Sequence, residues 1–346
     1  MSRLILVIVF LFALAVPASA SELTAPTVPE AGAAVMPEKT ASFGEGLAQL
    51  LRAALLGIRP DLREASRVSL GVIAAVMLVS ILQSFHGSVK AVSELAGAAA
   101  IAGGLLLSAN SLIRLGGETI TEISEYGKLL MPVMTAAMAA QGGVSSATAL
   151  YAGTAVFDAV RSSLIARRLV PMVYLYLALA AANSAVEEDI LGRLRDLVKS
   201  FVSWSLKTIL TVFTTYMAIT GVVSGTTDAA ALKATKVTIS SVVPVVGGIL
   251  SDASEAVLVS AGLMKNTAGV YGILAVLAVF LNPFLKIGIH YLILKLTAAL
   301  CALFGAKRMT ALVGDFSGAM GLLLAMTGSE CLLLLISTVC FLKGVG

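Results

Sequence analysis

GVYGILAVLAVFLNPFL (Gly269–Leu285) is followed, after Lys286 alone, by IGIHYLILKLTAALCALF (Ile287–Phe304). A third apolar run, GAMGLLLAMTGSECLLLLISTVCFL, occupies Gly318–Leu342. These runs are 17, 18 and 25 residues long, enough for a helix to cross a hydrocarbon layer of about 30 Å. Backbone polar groups cannot be left unsatisfied in lipid, so crossing segments must be helices or strands of a closed barrel. None of the three runs alternates apolar and polar residues as barrel strands do. The stretch therefore predicts an all-α, polytopic integral membrane helical bundle.

The same pattern recurs towards the N-terminus. Spans are predicted at Val68–Phe85 and Leu95–Ile113, with Lys90 between them and Glu118, Glu122 and Glu125 following. A long apolar region, Leu129–Val160, is interrupted by Pro132 and Gly142-Gly143 and followed by Arg161, Arg167 and Arg168, the strongest cytoplasmic marker in the chain. Further spans are predicted at Val170–Val186 and Leu206–Val223. Between those two, Glu187-Glu188-Asp189 opens a helix as acids do at an N-terminus. Leu191, Leu194, Leu197, Val198 and Phe201 then oppose Arg193, Arg195 and Lys199, an amphipathic, interfacial pattern. Trp204 stands where aromatic residues anchor at headgroups.

Residues 242–264 differ from the other runs. Pro244, Gly247, Gly248, Asp252 and Glu255 fall where a span should be cleanest, which fits two half-helices better than one straight crossing. Such backbone is tolerated only when buried in protein or lining a water-filled cavity. Re-entry on the cytoplasmic side leaves Lys307 and Arg308 inside, as the positive-inside rule prefers, whereas a full crossing puts them outside. Re-entry is favoured. It gives about eight spans plus a broken segment and an external C-terminus.

The first residues read as a signal peptide, 1–20. Arg3 is the positive region, Leu4–Val16 the apolar core, and Pro17-Ala18-Ser19-Ala20 a small-residue cleavage site. Residues 21–44, rich in Ala, Pro, Thr and Glu, read as a flexible external tether. In residues 45–67, Leu47, Leu50, Leu51, Ala54, Leu55 and Ile58 keep helical spacing until Pro60, which is expected to stop that helix. This amphipathic helix either lies along the membrane surface or packs on a partner. The polytopic membrane domain follows at 68–346. Pro132 and Pro171 are 39 residues apart, as are Pro244 and Pro283. That spacing suggests an internal repeat, 129–223 and 241–342, in opposite orientations as in many transporters; chance matching of prolines is the alternative.

Composition agrees with a membrane protein. Of 346 residues 58% are hydrophobic and 13% charged, with mean hydropathy +0.97, against about 25% charged in soluble domains. The net charge of +4 comes from 24 basic and 20 acidic residues. The bases sit singly or in pairs at the ends of runs, which orients helices in a bilayer and gives no case for nucleic acid. Cys301, Cys331 and Cys340 lie inside apolar runs and read as small buried hydrophobes.

Catalytic signatures are absent from the sequence. It has no G-x-x-x-x-G-K-[ST] phosphate loop, no H-E-x-x-H and no G-x-S-x-G. No catalytic residue, metal ligand or cofactor site is assigned, and the chain is not expected to be an enzyme. The candidate residues are polar groups at membrane depth. Asp252, Glu255, His290, Lys295 and Glu330 each cost about 2.5–3.5 kcal/mol at a helix centre on insertion scales. They either pair to fix helix register or line a hydrated passage. Lys295 and Glu330, near the middles of the last two spans, are the candidate intramembrane ion pair.

ALKATKVTISSVVPVVGGILSDASEAV (Ala231–Val257), continuing to Leu263-Met264-Lys265-Asn266 and Gly269, resembles the signature of the stage III sporulation protein AE family. Val243-Pro244-Val245-Val246-Gly247, Ser251-Asp252-Ala253 and Lys265-Asn266 fill its motif. The resemblance implies a membrane component of a channel or secretion-like complex linking mother cell and forespore, required for late forespore gene expression after engulfment. It also implies residence in the mother-cell membrane surrounding the forespore, with other membrane proteins and a separate ATPase subunit as partners. Pro244, Gly247, Gly248, Asp252, Glu255, Lys265 and Asn266 become candidate functional or conduit-lining residues. The alternative is a stand-alone secondary transporter or permease, which broken helices and a repeat would also suit.

Overall fold

Helices form wherever the apolar runs lie, but several runs are joined end to end without loops. The computed structural model describes residues 26–33, 35–36, 43–83, 89–140, 144–185, 190–219 and 267–343. The expected signal peptide and the whole of 242–264 lie outside these residues. Among the described residues every regular element is helical. They are α1 (Glu30–Ala33), α2 (Phe43–Leu82), α3 (Val89–Ala140), α4 (Val144–Leu164), α5 (Val170–Ala185), α6 (Ile190–Ile219), α7 (Thr267–Ala302) and α8 (Lys307–Lys343). A π-helical turn, Ile165–Leu169, fuses α4 to α5. Among the described residues five stretches are long and apolar enough to cross a membrane: Phe43–Leu82, Val92–Ala136, Leu150–Ala185, Val270–Ala302 and Lys307–Leu342.

Four sequence expectations change. Pro60 does not stop a helix; it lies inside α2, so the stretch read as an interfacial helix continues into the first span. Pro283 likewise lies inside α7, making Gly269–Leu285 and Ile287–Phe304 two parts of one helix. A mid-helix proline costs about 3 kcal/mol. Side-by-side packing of α2 on α7 compensates, with Lys286 Nζ 2.9 Å from Asp61 Oδ1 beside both prolines. The acidic stretch Glu118–Lys128, expected as a linker, is the middle of α3. There Ile120, Ile123, Tyr126 and Leu130 keep helical spacing on the core side while Glu118, Glu125 and Lys128 project outward. Finally, part of the expected tether folds: α1 packs on α7, where Gly32 meets Val279.

Other expectations fit the helices better. α3 ends at Ala140 and α4 begins at Val144, on either side of Gly142-Gly143, whereas Pro132, expected to interrupt the same apolar region, lies inside α3. Pro171 comes one residue after the π turn, next to Val170, whose N–H reaches back to the Ile165 carbonyl. A π turn shifts the bonding pattern by one residue, and a proline without an N–H fits there. Pro171 and Pro283 thus occupy different settings, one at a π turn and one mid-helix. Gly305, at φ +76°, makes the left-handed turn between α7 and α8 that a side chain would resist.

α8 is the centre of the bundle, packed against α3, α4, α5, α6 and α7. Its contact with α3 is in step along both helices. Gly116 receives Leu323 and Gly127 receives Leu334, eleven residues further on in each chain segment. The absence of a Cβ at both glycines permits the approach.

The core divides into two tiers stacked along the helix axes. The lower tier holds Val72–Val79, Ala98–Ile120, Ile165–Ala180, Val198–Leu206, Ile287–Cys301 and Ala306–Met326. The upper holds Phe43, Leu50, Ile123–Met134, Leu150, Phe213, Ile273–Phe280 and Cys331–Leu342. Ile209 and Phe284 pack against both. Between the tiers runs a polar waist: Asp61 on α2, Glu122 on α3, Asp158 and Arg161 on α4, Lys286 on α7 and Glu330 on α8.

Candidate functional site

The densest buried charge lies at that waist, against α8. Asp158 and Arg161 stand three residues apart on α4, a spacing that places both on one helix face, and they form an ion pair. Arg161 Nη2 is 3.1 Å from Glu330 Oε1, and Nη1 donates to the Glu330 carbonyl at 3.2 Å. Arg161 is 4% exposed and Glu330 0%. One guanidinium therefore serves two carboxylates. Burial of ions is costly unless they are paired and hydrogen-bonded, and here the pairing bridges α4 to the central helix. Arg161 and Asp158 also line a cavity of about 10 Å³ with Thr154, Phe157, Phe213 and Ser337, on the scale of one water molecule.

Two further polar ties hold the periphery. Asp315 of α8 accepts from Arg195 of α6 at 2.5 Å and from the Tyr176 hydroxyl of α5 at 3.3 Å. Arg195 also donates to Asp196 at 2.9 and 3.0 Å. Ser69 of α2 and Thr297 of α7 bond at 2.5 Å, one helix pair away from the waist. The hydroxyls along α8 turn inward to their own helix. Thr327, Ser329, Ser337 and Thr338 donate to carbonyls three or four residues earlier, so these four hydroxyls are satisfied within a buried helix.

The residues singled out by sequence meet different fates. Pro244, Gly247, Gly248, Asp252, Glu255, Lys265 and Asn266 lie outside the described residues. Lys295 and Glu330 are not brought together. Lys295 faces outward, its Nζ 3.2 Å from Tyr291 Oη and 5.4 Å from that ring's centre, while Glu330 takes Arg161. His290 is buried, with Nδ1 2.9 Å from the Lys286 carbonyl. The three cysteines are buried, as expected. Among the described residues no group of three His, Cys, Asp or Glu side chains is placed to hold a metal.

Arg161 is the residue that sequence reasoning misplaced. Its spacing groups it with Arg167 and Arg168 as one basic cluster. The structure divides them: Arg167 and Arg168 are exposed on the π turn, and Arg161 points into the bundle. The available signal was Asp158, which lies one helical turn before Arg161 inside an otherwise apolar run.

Known proteins supply the remaining evidence. The chain is similar to the stage III sporulation protein AE of Bacillus subtilis (strain 168), 24% identical over 236 residues. That match covers 68% of this chain and 53% of the relative, so the chain spans about half the length of the curated relative it matches. No solved structure matches. The family described as stage III sporulation protein AE matches residues 34–344, nearly the whole bundle together with the Pro244–Asn266 motif. On that coverage, the chain belongs to the stage III sporulation protein AE family.

Proposed function

We propose that the protein is a multi-pass component of the mother-cell membrane around the forespore. There it forms part of a channel or secretion-like complex needed for late forespore gene expression after engulfment. The observation that carries this reading is the family match over residues 34–344, which supports a role in sporulation. The five long apolar helices are consistent with a membrane location. In this reading the chain is not an enzyme and works without a cofactor. Energy comes from a separate ATPase subunit, in keeping with a sequence that has no phosphate loop. Its partners are other membrane proteins of the complex. The signal peptide is removed after Ala20.

Deletion of the gene in the native host should block forespore development after engulfment, with recovery on complementation. The affinity-tagged protein should co-purify with further sporulation membrane proteins. Normal spores from the deletion strain would overturn the proposal. Solute uptake by the purified chain alone in liposomes would favour the stand-alone permease.

A further inference from the structure

The five candidate membrane helices contain 33 to 45 residues. At 1.5 Å per residue they are about 50–68 Å long, far more than a hydrocarbon layer of about 30 Å. The bilayer therefore cannot cover the whole bundle, and the two tiers differ in what they show on their outer surfaces.

The lower tier presents large apolar side chains on its outside. Leu78 on α2, Leu107 on α3, Leu175 on α5, Leu197 on α6 and Leu296 on α7 are 48–80% exposed. Of these helices α3, α5, α6 and α7 pack directly on α8 and α2 packs on α3 and α7, so among the described residues each of them turns an apolar face outward. Charge bounds this belt at both ends. On the waist side Arg59, Arg63 and Arg67 of α2 are exposed with Glu64, and at the waist-facing edge of the lower tier so are Arg114 and Glu118 of α3 and Arg167 and Arg168. At the far end stand Lys307, Arg193 and Asp196, with Arg308 4.0 Å from Glu94.

The distance between these boundaries fits a bilayer. On α3 Glu94 and Arg114 are 20 residues apart, and on α7 Lys286 and the last helical residue, Ala302, are 16 apart, or about 24–30 Å of helix. Lys295 is the exposed charge of α7 inside the belt. Its four-carbon stem lets the ammonium reach away from the centre, as lysines near lipid do, and its bond to Tyr291 points it back along α7 towards the waist. The upper tier also exposes Leu55, Leu56 and Leu129, but interleaves them with Glu45, Arg52, Glu125 and Lys128. Each such charge would cost about 2.5–3.5 kcal/mol at a bilayer centre.

We infer that lipid hydrocarbon encircles only the lower tier, that the basic waist lies among the lipid phosphates at one membrane surface, and that the upper tier stands outside the hydrocarbon. This placement rests on the reading of the chain as a membrane protein. Consecutive apolar runs, such as Gly269–Leu285 and Ile287–Phe304, then belong to one crossing and its extension, not to two crossings.

Nitroxide labels on single cysteines test the placement in the full chain, reconstituted in phosphatidylcholine–phosphatidylglycerol liposomes with Cys301, Cys331 and Cys340 changed to Ala. Labels at Leu78→Cys, Leu107→Cys and Leu296→Cys should relax with oxygen several-fold more than with a water-soluble nickel chelate. Labels at Leu56→Cys, Glu125→Cys and Leu129→Cys should show the reverse. Oxygen-dominated relaxation at Leu56 and Leu129 would overturn the inference while leaving the membrane reading intact. A chain that fails to float with the liposomes, with nickel-dominated relaxation at all six sites, would overturn the membrane reading itself. The unsubstituted chain provides an independent check. Photolabelling by a lipid-borne diazirine should mark lower-tier peptides of α2, α3 and α7, and equal marking of upper-tier peptides would also overturn the inference.

Discussion

α2 and α8 have nearly the same hydropathy and length yet opposite surroundings. Their most apolar 18-residue windows average 2.1 and 2.0, but 22% of the α2 window is buried inside the protein against 94% of the α8 window. The difference lies in side-chain size and polarity. α8 carries the half-buried Gly318, the buried Gly321 and Gly328 and a series of hydroxyls bonded to its own backbone, so neighbouring helices can approach closely. The outward face of α2 is Leu70, Met77, Leu78 and Ile81, bulky groups left exposed among the described residues. Apolar character alone thus says that a helix avoids water. Whether it meets lipid or protein depends on how closely other helices can come.

The sharpest way to break this comparison is to strand the charge at α8. Arg161→Ala and Glu330→Ala should each destabilise the protein by about 3–5 kcal/mol, since the survivor is left buried and uncompensated. The double change Arg161→Met with Glu330→Leu should recover much of the loss. Unfolding in detergent measures all three, and strict additivity would show that the two side chains are not coupled. Lys295→Ala, at an exposed position bonded to Tyr291 alone among the described contacts, should stay within about 0.5 kcal/mol of the parent.

A second test compares equal truncations. Leu322→Ala, at a side chain 0% exposed on α8, should cost about 2–5 kcal/mol through lost contacts and a cavity. Leu78→Ala on α2, where the side chain is 60% exposed, should cost about 0.5 kcal/mol or less. Equal losses at the two positions would contradict the central place of α8.

The smallest expected effects concern glycines. A Cβ at Gly116 would come 2.7 Å from Leu323 Cγ of α8, so Gly116→Val should cost about 1–3 kcal/mol by overpacking. A Cβ at Gly71 on α2 meets nothing within 4 Å. Gly71→Ala should therefore be neutral or stabilise by up to about 1 kcal/mol through helix propensity. Loss of stability at Gly71 would mean that a neighbour covers that face of α2.

The sequence by itself determined the helical class, the apolar runs, the buried state of Cys301, Cys331 and Cys340 and, through the motif from Val243 to Asn266, the family. These depend on properties of consecutive residues: hydropathy summed over a window, helical spacing, and a short run of named side chains. Tertiary structure alone decided where helices continue and which charges meet. α2 and α7 run on through Pro60 and Pro283 with Asp61 and Lys286 joined beside them. Glu330 takes Arg161, 169 residues away in sequence, in place of the closer Lys295. A charge at membrane depth must find an opposite charge, but its identity is set by helix rotation and packing. On α7 Lys295 is turned to the outside, and on α4 Arg161 is turned in.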